Sequence, residues 1–233
     1  MLAIAGGKGG SGKTTTALGL AAALDGRTLV VDADVDMPNL HRMAGVDPTP
    51  TLADAASVGA RSTAQPHPER PTVSVLPAPT AADGDADTAS GAERDASRAC
   101  RSGVEPALAG LDPGDATLVD CPAGAGPDAA AALRAADAAL LVSSLCRPAL
   151  RDTAKTAAMA RTLGAEPVGV VLTRTRIAPD PVADLLGCPA LASVPAVDPP
   201  VLGNPVVRAS YERLAVGVGR ETDLYDGTNN SHS

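Results

Sequence analysis

The chain has 233 residues and a formal net charge of −8, and its few aromatic residues are Tyr211 and Tyr225. A chain of this length fits one globular domain, whose core must be built from Ala, Val, Leu and some Ile. Lysine occurs only as Lys8, Lys13 and Lys155. The acidic balance therefore argues against a generic basic surface for nucleic acid or anionic lipid.

The sequence shows no export signal and no apolar stretch near the roughly 18–20 residues of a membrane span, so we expect a cytoplasmic protein. Cys100, Cys121, Cys146 and Cys188 form no C-x-x-C pair. This spacing argues against a zinc or iron–sulfur site within one chain. The Asp-rich, Lys-poor composition is similar to that of proteins from salt-loving organisms, in which solubility must survive strong screening.

Short apolar runs alternate with Ala/Leu-rich stretches along the chain. This pattern predicts an α/β fold, a mostly parallel β-sheet with helices on both faces in a Rossmann-like three-layer sandwich. The predicted strands are Leu2–Ala5, Thr28–Val31, Val73–Leu76, Ala116–Val119, Ala138–Val142, Val168–Leu172 and Leu191–Val194. The predicted helices are Lys13–Leu24, Ala92–Leu108, Asp128–Ala135, Leu150–Leu163 and Pro205–Val216.

We expect a single domain over residues 1–218. Residues 57–92 are rich in Ala, Asp, Pro, Gly, Ser and Thr, which predicts a long, low-complexity, solvated loop broken by the strand Val73–Leu76. Residues 219–233 are polar and predict a flexible tail.

Gly7 to Thr14 fits the pattern G-x-x-x-x-G-K-[ST] between an apolar strand and a helix. In such a loop glycines let backbone amides approach phosphate oxygens, and the helix start adds its positive dipole end. Lys13 would contact the β- and γ-phosphates, and Thr14 would offer its hydroxyl to Mg²⁺. The alternative is a glycine-rich turn that binds nothing. The expected nucleotide contacts in the loop are Lys8, Gly9, Gly10, Ser11, Gly12, Lys13, Thr14 and Thr15.

Two further strand ends carry carboxylates, and strand ends are where such sheets place their ligands. The second predicted strand leads into "VVDADVDMPNLH", which contains Asp32, Asp34 and Asn39. The strand Ala116–Val119 leads into "DCPAG", beginning at Asp120. Because Asp is abundant throughout the chain, an acidic solvated turn is the alternative explanation for the first of these.

The segment "KGGSGKTT" at Lys8–Thr15 resembles the deviant Walker A motif of the MinD/ParA/nitrogenase-iron-protein class. The resemblance implies a P-loop NTPase fold, ATP as substrate, and Mg²⁺. It also implies that Lys8 reaches across a homodimer to the partner's nucleotide, as an arginine finger does elsewhere. The alternative is that Lys8 is only a solvated loop charge.

The same resemblance implies a role for each acidic strand end. Asp34 matches the switch I aspartate that orients the attacking water, and Asn39 matches the asparagine of the family's Asn-Leu pair. Pro122 and Gly124 match the switch II sequence D-x-P-A-G, whose glycine can turn its amide toward the γ-phosphate. Thr14, Asp32 and Asp120 would hold Mg²⁺, the carboxylates through water. The implied catalytic residues are Lys8, Lys13, Asp34 and Asp120.

Recognition of the base departs from the family pattern. After the strand Val168–Leu172 the family commonly has Asn-Arg, whereas this chain has Thr173 and Arg174. Arg174 could stack on the base. The segment "SVPAVDPPV" is similar to the family's loop beside the adenine, which makes Pro195 and Asp198 candidate contacts.

The resemblance implies an ATPase that dimerises with ATP·Mg²⁺, separates after hydrolysis and is slow without an unidentified activating partner. A MinD-like spatial regulator fits "DCPAG", but the tail has no basic amphipathic helix for a membrane. A ParA-like role in DNA partitioning is one alternative, for which the arginines near the chain's end are thin support. A metal-cluster carrier and a nucleotide-gated scaffold are the other two.

Overall fold

The computed structural model describes residues 1–79, 103–111 and 116–222. Its strands are β1 Leu2–Ala5, β2 Thr28–Asp32, β3 Gln65–His67, β4 Arg70–Leu76, β5 Ala116–Asp120, β6 Ala138–Ser144, β7 Glu166–Thr173 and β8 Ala190–Val194. Within the described residues, these eight strands form one sheet in the order β3-β4-β2-β5-β1-β6-β7-β8. Every neighbouring pair is parallel except β3 and β4, which are antiparallel.

Helices connect most of the parallel strands. Residues 103–109, which we label α5, are helical and precede β5. The other helices are α1 Lys13–Ala21, α2 Leu40–Ala44, α3 Leu52–Val58, α4 Ala60–Thr63, α6 Pro127–Ala135, α7 Arg147–Leu163, α8 Asp180–Leu186 and α9 Pro205–Glu221, with a 3-10 turn at Val201–Gly203.

The sheet is buried on both faces, which is why its central strands are continuously apolar. In β1, Leu2 and Ile4 point toward a core that includes side chains of α1, α2 and α9. Ala3 and Ala5 point the other way, toward a core that includes side chains of α3, α5, α6 and α7. The predicted three-layer α/β sandwich is confirmed.

The chain between β2 and β4 is more ordered than its composition predicts. The long loop expected over residues 57–92 is wrong for its beginning, because Ser57 and Val58 end α3, and α4, β3 and the first half of β4 follow. The reason is local pairing: Gln65 and Pro66 pair with Val75 and Ser74 of β4. Residues 80–92 lie outside the described part of the chain, as does most of the predicted helix Ala92–Leu108.

The final helix is longer than expected. The flexible tail predicted over residues 219–233 is wrong for its first residues, since α9 continues to Glu221, and residues 223–233 lie outside the described part of the chain. One face of this helix, including Val207, Tyr211, Leu214 and Val218, is buried against the sheet and α1. That apolar spacing of three or four residues keeps the last turn helical although its outer residues are polar.

Candidate active site

The loop between β1 and α1 is packed closely at its base and open at its crest. A Cβ added to Gly6 would collide with the carbonyl oxygen of Val142, and one added to Gly7 with the backbone of Asp152. A Cβ on Gly9 or Gly10 would meet nothing within 4 Å. The base therefore requires glycine for packing, while the crest leaves space over its backbone for a ligand. This arrangement suits close approach of phosphate oxygens.

The two lysines of this loop have different surroundings. Lys13, the first residue of α1, is only 8% exposed. Lys8 is exposed, and its ammonium is close enough to Cys146 to help lower the pKa of that thiol, after the Ser144 hydroxyl and the Ala149 amide. One lysine thus lies within the loop of its own chain, and the other faces outward.

Asp32 and Asp120 lie side by side at the carboxyl ends of adjacent parallel strands, where they are register partners. Both are buried, with exposed fractions of 1% and 3%. Burial, opposed by backbone hydrogen bonds, raises the pKa of Asp32 to about 6. Burial and the neighbouring charge of Asp32 raise the pKa of Asp120 to about 8. Two buried carboxyls this close favour a shared proton or a cation between them.

The Asp32 carboxylate organises the loop that follows it. Its Oδ1 accepts a hydrogen bond from the amide of Asp34 at 3.0 Å, and its Oδ2 accepts from the amides of Asn39 and Leu40 at 3.3 and 3.2 Å. The half-buried Asp34 accepts one bond, from the Met37 amide at 3.1 Å. Asn39 itself is exposed. The sequence reasoning missed this use of Asp32, because the contacts join residues that only the folded loop brings together.

The loop after β5 contacts the phosphate loop directly. The amide of Gly124 donates to the Gly6 carbonyl at 3.1 Å, and the φ of Gly124 is +90°, a conformation that favours glycine. Pro122 is buried beside it. The glycine predicted for switch II therefore lies in hydrogen-bond contact with the loop between β1 and α1.

The residues present fit a magnesium ion. Asp120 Oδ1 is buried and has no hydrogen-bond partner among the described residues, while the Thr14 hydroxyl bonds to the Asp120 side chain. Oxygen ligands of this kind are those that Mg²⁺ prefers, together with waters and substrate phosphates. Within residues 1–79, 103–111 and 116–222, no group of three or more His, Cys, Asp or Glu side chains is placed to hold a metal alone. The site accordingly suits an ion whose remaining ligands are phosphate and water.

A cavity of about 180 Å³ lies beside the phosphate loop and could take a base. Five of the residues predicted to contact the nucleotide line it: Ser11, Gly12, Thr15, Arg174 and Pro195. The predicted contact Asp198 is exposed and is not among the lining residues. Most of the remaining wall is apolar, formed by Val194, Ala196, Val197 and Val201.

Two residues of this cavity were not assigned a role from the sequence. Thr173, noted only because it replaces an asparagine, donates from Oγ1 to the Ser11 carbonyl at 2.7 Å and so holds the phosphate loop. Tyr211 of α9 is buried, with its hydroxyl 3.5 Å from that of Thr16. Its status as one of two tyrosines, on an amphipathic helix, is the only feature of the sequence that singles it out.

Arg174 takes an unusual backbone conformation at the end of β7. Its φ is +57°, and its Nη2 donates to the Gly10 carbonyl at 2.6 Å. A non-glycine residue in this region is uncommon and is often found at functional sites. Thr173 and Arg174 together bind the carbonyls of two consecutive loop residues.

The cysteines of the described residues do not gather at one place. Cys121 is 1% exposed, and burial raises its pKa far above the usual range. Cys188 is also buried, whereas Cys146 is exposed. In the described ranges, no helix combines the length and the apolarity that crossing a membrane requires.

A phosphate loop on a parallel sheet, two acidic strand ends beside it and a second loop lysine define a P-loop nucleotide-binding protein of the deviant Walker A type. The comparison with protein families agrees. The model of the CobQ/CobB/MinD/ParA nucleotide-binding domain matches residues 2–195, and the chain belongs to this family of P-loop ATPases.

Individual relatives give the same result. An uncharacterized ATP-binding protein of Methanocaldococcus jannaschii is 29% identical over 221 residues, which cover 88% of this chain and 79% of that protein. The cell-division ATPase MinD of Pyrococcus furiosus superimposes with a TM-score of 0.73 at 29% identity, covering 95% of this chain and 98% of that one. The septum site-determining protein MinD of Pyrococcus horikoshii, complexed with Mg-ADP, gives 0.73 at 26% identity with the same coverage.

Proposed function

We propose that this chain is a MinD-like ATPase that pairs into a homodimer around ATP·Mg²⁺ and separates after hydrolysis. In this proposal hydrolysis acts as a timer for a switch that positions other cellular machinery. The two Pyrococcus relatives are named for cell division and septum-site determination, which favours a spatial role. A partner protein would accelerate the slow intrinsic reaction.

The observation that carries the proposal is the difference between the two loop lysines. Lys13 is buried where it can serve the chain's own nucleotide, and Lys8 projects outward from the same loop. A cation that faces away from its own site can complete another site, as a finger residue supplied in trans does. A second copy of the chain, apposed through this loop, would receive Lys8 at its phosphates.

The remaining parts of the site suit hydrolysis. One oxygen of Asp34 accepts the Met37 amide, which leaves the other free to orient a water beside the phosphate loop. Thr14 and Asp120 would hold the magnesium ion, which neutralises phosphate charge when it is bound. Asp32 positions the Asp34 loop through its three amide contacts.

A change in the loop after β5 would report the state of the nucleotide. The Gly124 amide donates to the Gly6 carbonyl in this structure, so it must leave that carbonyl before it can donate to a γ-phosphate. Loss of the γ-phosphate would then let the amide return. Such an exchange links phosphate release to the surface on which two copies meet.

The rival roles have less support. A cluster bridged by two copies of Cys121 conflicts with the burial of that thiol, although Cys146 is exposed. For DNA partitioning, Arg208, Arg213 and Arg220 of α9 are exposed, but three arginines on a chain of net charge −8 make a weak basic surface. A nucleotide-gated scaffold without useful hydrolysis is separated from the ATPase by the measurement below.

The test is the molar mass in solution, by size exclusion with light scattering, together with phosphate release. With ATP and Mg²⁺, the Asp34→Ala variant should be a stable dimer that releases phosphate at least about 100-fold more slowly than wild type. With ADP it should be a monomer. Lys8→Ala should bind ATP but remain a monomer.

Arg220→Ala, which removes an exposed cation far along α9, is the matched control and should behave as wild type. An Asp34→Ala protein that stays monomeric while saturated with ATP·Mg²⁺ would contradict the dimer. A wild-type protein that dimerises without releasing phosphate, even with added partners, would favour the scaffold.

A further inference from the structure

A second cavity, of about 300 Å³, lies between α1, α9 and the turn that joins β3 to β4. Gly19, Ala22 and Ala23 line it from the end of α1, at the spacing i, i+3 and i+4 that shares one face of a helix. These small residues leave the space open. Leu202 and the buried ring of Tyr211 complete the apolar part of the lining. Sites for small molecules have volumes of roughly 300–1,000 Å³, so this cavity suits a small one.

Four charged side chains, two of each sign, form the rest of the lining. Arg208 and Glu212 are four residues apart on α9, while Glu69 lies in the turn and Arg70 begins β4. Each of these two sides therefore presents one cation and one anion. In the described ranges 1–79, 103–111 and 116–222, none of the four has an opposite charge within ion-pair distance.

This arrangement favours a ligand that carries both charges. Exposed ion pairs gain little from closing, so the four groups remain available to a bound molecule. A carboxylate fits the planar fork of an arginine, and an ammonium group fits a glutamate carboxylate. A simple anion, phosphate included, would meet two carboxylates in the same space, and a simple cation would meet two guanidinium groups.

Tyr211 connects this cavity with the one beside the phosphate loop, because it lines both. Its ring lies so close to α1 that a Cβ on Gly19 could not fit between them. Its hydroxyl is 3.5 Å from that of Thr16, near the start of the same helix. A molecule that shifts this ring would change the wall of the other cavity, since close-packed contacts transmit shifts.

We infer that the cavity between α1, α9 and the β3–β4 turn binds a small zwitterion, an α-amino acid with an apolar side chain. The two arginines bind its carboxylate, the two glutamates bind its ammonium group, and its side chain lies on the apolar lining. Occupancy of this site alters the affinity for ATP through Tyr211. That last step rests on the proposed function, whereas the site itself does not.

The test titrates the standard amino acids, one at a time, into the full-length protein and measures binding by calorimetry. At least one apolar amino acid should bind with a dissociation constant below about 1 mM. Its N-acetyl derivative lacks the positive charge, and its amide lacks the negative charge. Each derivative should bind at least about 10-fold more weakly.

Variants of the lining locate the site. Arg208→Gln and Glu212→Gln each remove one charge and should each weaken binding at least about 5-fold. Arg220→Gln and Glu221→Gln make the same two changes farther along α9, outside the lining, and should change the affinity less than about twofold. Ala23→Leu fills part of the cavity, leaves all four charges in place and should also weaken binding.

The coupling is measured with both ligands present. A saturating amino acid should change the dissociation constant for ATP at least about threefold, and ATP should change the affinity for the amino acid by the same factor. Amino-acid binding that leaves the affinity for ATP unchanged would keep the site and refute its link to the nucleotide.

The inference is overturned if no amino acid binds at about 10 mM, which would leave the cavity to water. Equal binding of the two derivatives, or binding that is insensitive to Arg208→Gln and Glu212→Gln, would overturn it as well. Amino-acid binding by a protein that shows no affinity for ATP·Mg²⁺ would instead refute the proposed function and leave the site standing. An ATP-dependent dimer that binds no amino acid would do the reverse.

Discussion

β2 and β5 end in the same residue type at the same register, yet the two carboxyls differ in their partners. Asp32 accepts three backbone amides from its own loop. Asp120 has one oxygen with no partner in the described part of the chain and a higher pKa, about 8 against about 6. Two adjacent and similarly buried aspartates thus have different hydrogen-bond partners.

The difference shows that neighbouring strand ends can carry one carboxyl suited to ordering a loop and another suited to binding a ligand. Three amide donors offset part of the cost of burying the Asp32 carboxyl, whose pKa still rises to about 6, and these bonds tie its loop to the strand end. A buried carboxylate with an unpartnered oxygen is destabilising until a proton or a cation arrives. We therefore expect the loop after β2 to keep its conformation without a ligand, and the loop after β5 to change its conformation when a ligand binds.

Removing the Asp32 carboxyl should have the largest effect on the stability of the folded protein. Asp32→Ala leaves the amides of Asp34, Asn39 and Leu40 without their acceptor, and the last of these is buried. We expect a loss of roughly 2–4 kcal/mol in the free energy of unfolding, because each buried donor without an acceptor costs about 1–3 kcal/mol. Denaturant unfolding at pH 6 measures this loss, and hydrogen exchange should show faster exchange at Leu40.

Asp34→Ala is the control for this change. It removes a carboxylate that accepts one bond, from the exposed Met37 amide, and should cost less than about 1 kcal/mol. Equal losses in the two variants would mean that the three contacts of Asp32 are not what holds the loop.

Neutralising the Asp120 carboxyl should raise the free energy of unfolding of the ligand-free protein, whereas removing the Asp32 carboxyl should lower it. The pKa of Asp120 rises from its ordinary 3.8 to about 8 on folding, so the folded chain holds a proton that the unfolded chain releases. The stability of the ligand-free protein is then greatest below pH 4 as far as this group is concerned, and falls as the pH rises toward 8. Asp120→Asn cannot ionise, and at pH 8.5 it should be more stable than wild type by roughly 1–3 kcal/mol.

The same variant should lose the benefit of the ligand. Mg²⁺ with ATP should raise the melting temperature of wild type by mass action, and should raise that of Asp120→Asn by much less. Melting curves from pH 5 to pH 9, with and without Mg²⁺ and ATP, give both results from one set of samples. A variant that is less stable than wild type at every pH would show that Asp120 is held by partners as Asp32 is.

Much of the sheet could be predicted from the sequence because its strands are continuously apolar runs. All seven predicted strands are found, most of them with one or two extra residues at an end. The missed strand β3 has three residues, Gln65–His67, one of them a proline, and depends on pairing with β4. The missed helix α3 did carry a local feature, the capping box formed by Thr51 and Asp54.

The residues of the candidate site also divide into those that the local sequence can locate and those that only the fold brings together. The phosphate loop, Asp32 and Asp120 are contiguous with their strands, so motif and strand end locate them together. The hydrogen bond from Thr173 to Ser11 joins residues 162 positions apart. No spacing rule reaches that far, because the contact depends on the way that β7 passes the phosphate loop.

Substitution of Thr173, the last residue of β7, should have the smallest effect of these changes. Thr173 adds a third strand end to the comparison of Asp32 with Asp120. Like Asp32, it is a buried polar group with partners: Oγ1 donates to the Ser11 carbonyl at 2.7 Å and lies 3.4 Å from that of Ser143. Thr173→Val keeps the shape that packs on Gly12 and removes the donor. We expect the affinity for ATP, measured by calorimetry, to fall by about 3–10-fold, which corresponds to roughly 1 kcal/mol for one hydrogen bond.

Thr173→Ser retains the hydroxyl and should restore the affinity to within about twofold. If valine binds ATP as well as threonine does, the hydroxyl is dispensable and the loop is held by its glycine packing alone. If serine fails while valine succeeds, the methyl group against Gly12 is what matters. The threonine would act through the phosphate loop and not through the base, so a loss shared equally by ATP and GTP would place its effect on the phosphates.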